Sequence, residues 1–128
     1  MTRSHSIAPA NAVAWFEIPV SNLASAKAFY GAITGHALKD EQMGPNMTAI
    51  FAYSGDPRTA ISGHLHEGRP AAGGTGATIH LYVDGLEASL EQVAASGGEV
   101  VSPIIAIPAG RFAYCRDPDG NSFGLFSA

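Results

Sequence analysis

The chain has 128 residues, a length that predicts one domain. Seven Lys and Arg against eleven Asp and Glu give a net charge of −4, and the scattered basic residues exclude the positive stripe of a nucleic-acid binder. Hydrophobic residues at 46% supply a core, 15 Gly and 8 Pro point to a loop-rich compact fold, and the lone Cys115 excludes an intrachain disulfide or a thiolate zinc site.

Residues 1–11 read as a loose tail with no signal-type apolar stretch, and nowhere do about 18 apolar residues run together, so a cytoplasmic protein with no membrane partner is expected. Phe16, Ile18 and Val20 alternate as in a half-buried strand. A helix follows, with Ser21 as its expected cap, Leu23, Ala26, Tyr30 and Ile33 at helical spacing, and Gly35 as its stop. A weak strand over 36–40, strands over 47–53 and 59–65, and a Gly/Pro/Ala-rich linker over 67–76 come next. Ile79, Leu81 and Val83 then alternate in a strand, and Asp84 with Glu87 predicts a capping-box helix ended by Gly97 and Gly98. Strands over 100–107, 111–115 and 122–126 complete the chain, the last two joined by an Asp117-Pro118-Asp119-Gly120 turn in which Pro presets φ and Gly accepts φ > 0.

The chain repeats itself. Val20, Leu23 and Gly35 recur as Val83, Leu86 and Gly98 at a constant offset of 63 residues. Each half is roughly βαβββ, over 12–66 and 77–127, giving an α+β class and halves too small to be stable separately. The offset makes Glu17 and His80 equivalent, each on the strand face opposite its apolar residues, and a pseudo-two-fold axis would turn both towards one concave surface. A carboxylate and an imidazole converging there can exchange protons or ligate a divalent metal, and the flanking Trp15 and Tyr82 suit a ligand cleft.

Other candidates are weaker. His64 and His66 share a strand face, but the following Glu67-Gly68-Arg69-Pro70 marks a solvated strand end; His64 stays as a candidate metal ligand beside Glu17 and His80. Arg111 can neutralise an anionic substrate, and Tyr53, Phe112 and Tyr114 can line the cleft, although strand aromatics are more often core residues. His5 and His36 receive no role. No Gly-x-Ser-x-Gly elbow, phosphate-cradling Gly-Lys-Ser/Thr loop or His-Glu-x-x-His is present, and Cys115 has no sequence-near His, so hydrolase and thiol chemistry are disfavoured.

Several segments together resemble the vicinal oxygen chelate superfamily, which includes glyoxalase I, extradiol dioxygenases and bleomycin-resistance proteins: residues 13–20 (VAWFEIPV), 26–30 (AKAFY) with Gly35, 79–83 with Leu86 and Val93, and Gly110-Arg111-Phe112-Ala113 with 117–125 (DPDGNSFGL). They are most similar to small predicted enzymes related to lactoylglutathione lyase. The resemblance implies paired βαβββ modules forming a concave mixed sheet, with two short chains in a homodimer. It also implies metal ligands at Trp15, Thr78, Gly124 and, for the fourth position, Gly63, none of which is a strong ligand. A metal (Zn, Mn, Fe or Ni) would then occupy a shifted site. Two functions are expected: a glyoxalase-like enzyme in which Glu17 and His80 move a proton beside a carbonyl of a small oxygenated metabolite, or a sequestering protein that holds an aromatic or cationic compound against Trp15 and Tyr82.

Overall fold

The computed structural model describes residues 7–128, so His5 and the first part of the expected tail lie outside the described residues. Two modules follow the duplicated pattern. The first comprises β1 (Phe16–Val20), α1 (Leu23–Thr34), β2 (Lys39–Met43), β3 (Asn46–Ile50) and β4 (Gly63–Glu67); the second comprises β5 (Ile79–Tyr82), α2 (Leu86–Ala95), β6 (Glu99–Val100), β7 (Ile105–Ile107), β8 (Gly110–Arg116) and β9 (Ser122–Ser127). Each module's first strand runs parallel to its last, giving sheet orders β1-β4-β3-β2 and β5-β9-β8-β6, with β7 also on β8. Among the described residues β1 pairs only with β4 and β5 only with β9, so each keeps one bare edge.

Local chemistry explains where the elements depart from the sequence pattern. Asn22, not Ser21, caps α1: its side chain accepts the Ser25 N–H at 2.8 Å, because Ser21 is engaged by Asp119 through both its backbone N–H (2.9 Å) and its hydroxyl (2.5 Å). The left-handed Gly35, φ 80°, ends the helix as expected. The expected capping box at α2 does not form, since Gly85 holds the cap position and Glu87 is drawn to Arg111. Strand β2 starts three residues later than the weak strand read over 36–40 and runs into a tight hairpin at Gly44. Strand β4 begins only at Gly63, because Asp56 gathers Thr59 and Ala60 into a turn. The single strand expected over 100–107 is broken at Pro103, which has no N–H to give; the Ser102 hydroxyl instead accepts the Tyr114 N–H at 2.9 Å.

Helices α1 and α2 pack on each other and share one interior. Tyr30 is fully buried at its centre, with Phe51 at 5.3 Å and Phe123, from the other module, at 5.6 Å between ring centroids. Its hydroxyl donates to Asp117 Oδ2 at 2.6 Å. The other Asp117 oxygen accepts the N–H groups of Asp119 and Asn121, and Asn121 Nδ2 donates to the carbonyl of Pro19. The second module's turn is thus tied to both α1 and β1 of the first. Gly98 completes the seam, since a Cβ there would press on both the Phe29 ring and the Arg116 carbonyl.

Burial, and then the Asp117 carboxylate beside it, raise the Tyr30 phenol well above its ordinary value. The folded state therefore resists losing this proton while the unfolded chain does not, so the contribution is full below about pH 10 and falls away as pH rises beyond it. Tyr30→Phe should cost about 1–3 kcal/mol in urea unfolding at neutral pH and remove this part of the alkaline decline; equal stability to wild type across that range would contradict the role given to the hydroxyl.

Candidate functional site

Alternation along β1 and β5 sends Ile18, Val20, Leu81 and Val83 inward, leaving the opposite faces of the two sheets for chemistry. On the first sheet the parallel register sets Glu17 beside His64 and Pro19 beside His66. His64 is only 6% exposed. Its Nδ1 accepts the indole N–H of Trp15 at 2.8 Å, and its Nε2 lies 3.1 Å from Glu17 Oε1. The solvated strand end expected at His64 is therefore not observed. Strand β4 is an interior strand flanked by β1 and β3, so its first residues are buried and only Glu67 at its end is exposed.

The second sheet presents a different surface. His80 stands edge-on to Phe112 and Tyr114, at centroid distances of 5.3 and 5.5 Å, and Tyr82 is edge-on to Phe126 at 5.4 Å. His80 makes no hydrogen bond among the described residues, and desolvation holds its proton affinity below the ordinary imidazole value. Its ring packs on Gly124, its partner in the β5–β9 register, where any Cβ would overlap it. A cavity of about 580 Å³ runs along the bare edge of β5, walled by Phe16, Phe51, Tyr53, Ile79, His80 and Tyr82. Glu17 opens instead on a smaller cavity of about 120 Å³ beneath the linker residues Ala71, Thr75 and Gly76. No hydrogen bond or ion pair joins Glu17 to His80 among the described residues; the carboxylate's imidazole partner is His64.

Two further candidates fall elsewhere. Arg111 sits on the opposite face of β8 from Phe112 and Tyr114, and its guanidinium grips Glu87 through two bonds of 2.7 and 3.1 Å, holding that carboxyl down to about 2. The side chain is committed to the start of α2 and faces away from the aromatic surface. Cys115 is buried, which pushes its thiol up to about 11 and suits its reading as a core residue.

Strand register also corrects the fourth ligand position. Glu17 pairs with His64 as His80 pairs with Gly124, so His64, not Gly63, is the counterpart of Gly124. Gly63 lies under the Phe16 ring with no room for a side chain. Of the four positions, Trp15, Thr78 and Gly124 offer no strong ligand. His64 has Nδ1 occupied by an indole proton, and no cluster of three or more His, Cys, Asp or Glu suited to a metal occurs among the described residues. The residues present do not fit the divalent ion associated with this fold. Gly124→Ala should force the His80 ring off the sheet, costing about 1–3 kcal/mol in urea unfolding and altering the near-ultraviolet circular dichroism of Tyr114 and Phe112; an unchanged spectrum and midpoint would refute the close packing.

The same architecture recurs in known proteins. A glyoxalase/bleomycin resistance protein from Albidiferax ferrireducens T118 superposes with a TM-score of 0.67 at 20% identity, over 92% of this chain and 99% of its own. One from Streptomyces sp. CB03234 gives 0.64 at 29% identity, over 88% and 97%. A Mycobacterium bovis protein named "Putative glyoxylase CFP32" is 28% identical over 120 residues, 89% of this chain but only 44% of the mycobacterial protein, so the chain spans less than half of that relative's length. No helix among the described residues is long and apolar enough to cross a membrane. The family model for the Glyoxalase/Bleomycin resistance protein/Dioxygenase superfamily matches residues 12–125, and the chain belongs to that superfamily.

Proposed function

We propose that this protein is an enzyme that moves a proton on a small oxygenated metabolite without a metal, using Glu17 as the base. The observation that carries this reading is the Trp15–His64–Glu17 hydrogen-bonded string on an open sheet face: one Glu17 oxygen is held by His64 while the other is free to meet a ligand. A carboxylate so fixed can take a proton from the carbon beside a carbonyl and return it to the neighbouring carbon or oxygen, with no net gain or loss of atoms. His80 lines the larger cavity beside Tyr82, with an imidazole that has no hydrogen-bond partner among the described residues and that packs edge-on to Phe112 and Tyr114.

Glu17 is open to solvent in the single chain, with its side chain 64% exposed, and a second copy supplies the natural cover. Two features support a homodimer: the bare edges of β1 and β5, and mycobacterial relatives more than twice as long as the matched segment. Sequestration without turnover is the second reading, favoured by the aromatic surface around Tyr82, which is 79% exposed.

Turnover can be read as loss of α-deuterium from a panel of labelled α-hydroxy ketones and α-keto hemithioacetals. Glu17→Ala should lower it by about 100-fold or more while Trp15 fluorescence still reports binding; a folded, active Glu17→Ala protein overturns the enzymatic assignment. Fluorescence changes without deuterium loss in wild type would establish sequestration. Sedimentation equilibrium at micromolar concentration should give twice the chain mass, and a monomer there would remove the second copy from the site.

A further inference from the structure

Trp15 stands just before β1, half in solvent, at one of the positions where the resemblance places a metal ligand, yet an indole nitrogen has no lone pair to give. What it does instead is visible in its one polar contact, the 2.8 Å bond to His64 Nδ1. We propose that Trp15 is a positioning residue that fixes the tautomer of His64 and, through it, aims the Glu17 carboxylate. This rests on the assignment of Glu17 as the base.

Donor and acceptor chemistry decides where the His64 proton sits. The indole N–H only donates, so His64 Nδ1 must present its lone pair. An ionised carboxylate only accepts, so the proton on the imidazole must sit on Nε2 and point at Glu17 Oε1. The indole bond fixes the state, and the largely solvated Glu17 carboxylate, able to swing away, accepts a hydrogen bond from the proton that this leaves on Nε2. A second proton on Nδ1 would face the indole proton, so the imidazolium form is available only if the Trp15 bond breaks. The carboxylate's Oε1 is thereby tied down, while its Oε2 has no partner among the described residues. Rotation of Glu17 about its last torsion would otherwise exchange the two oxygens freely, because its side chain is largely in water. The tilted approach of the rings, 6.0 Å apart at 46°, leaves the indole N–H directed at the edge of the imidazole rather than its face.

The test needs no substrate. In ¹⁵N-labelled wild-type protein at neutral pH, two-bond proton–nitrogen correlation should show His64 as the single Nε2–H tautomer. Trp15→Phe removes the donor, and replacing Trp15 by its sulfur isostere benzothienylalanine removes it without changing shape. Both should turn His64 into a mixture of tautomers and shift the Glu17 carboxyl ¹³C signal. An Nδ1–H or doubly protonated His64 in wild type overturns the proposal, as does a tautomer or carboxyl signal that is indifferent to both replacements. If instead the spectra behave as expected while Glu17→Ala retains turnover, the positioning stands as a structural fact and only the assignment of the base falls.

Discussion

Everything in this molecule depends on one buried carboxylate. Asp117 receives the Tyr30 hydroxyl, two backbone N–H groups of its own turn and the Asn121 amide, and Asn121 passes the connection on to the Pro19 carbonyl. A charge so deeply placed would be costly with any donor missing, so the arrangement tolerates few alternatives. Because its partners come from both modules, it fixes how β1 stands relative to the β8–β9 turn. The positions of Glu17 and His80, one on each side of that seam, are set by the same bonds.

Duplication supplied two equivalent scaffolds, and the side chains have since made them unlike. The first sheet exposes an indole, an imidazole and a carboxylate joined by hydrogen bonds; the second exposes a histidine hemmed in by aromatic rings. Equivalent positions thus carry a carboxylate hydrogen-bonded to an imidazole in one half and an imidazole packed against aromatic rings in the other. The two surfaces open on different cavities, the carboxylate on the smaller one and the histidine on the larger. At two of the positions where the resemblance implies a ligand, Trp15 donates to His64 and Gly124 packs under the His80 ring.

Periodicity made most of the fold legible. Two alternating strands, two helices and the offset of 63 residues located both modules, because those signals arise from which residues must be buried. What escaped depended on pairing. His64 looked like a solvated strand end until β4 was flanked by β1 and β3, and no local pattern announces that Glu17 and His64 will be neighbours in a parallel ladder. The competition of Asp119 for Ser21, 98 residues away, moved the α1 cap to Asn22 for the same reason. Arg111 was closer to reach: Ala113 and Cys115 share its side of β8, and their burial marks that side as the core face, away from Phe112 and Tyr114. The packing of His80 against Phe112 and Tyr114, and over Gly124 in the β5–β9 register, needed the structure.

The outer borders of the two sheets carry a consequence of their own. Strand β2 presents Lys39, Asp40 and Glu41 to solvent, and the opposite border is interrupted where Pro103 separates β6 from β7. Charge on one margin and a gap in the other discourage any further chain from adding to the ladder. The unguarded margins, β1 and β5, both lie at the seam between the modules. Growth in that direction is self-limiting, because an association that uses up both leaves only the protected borders outside. The charged face of β2 and the break at Pro103 thus make the two outer borders poor templates for a further strand.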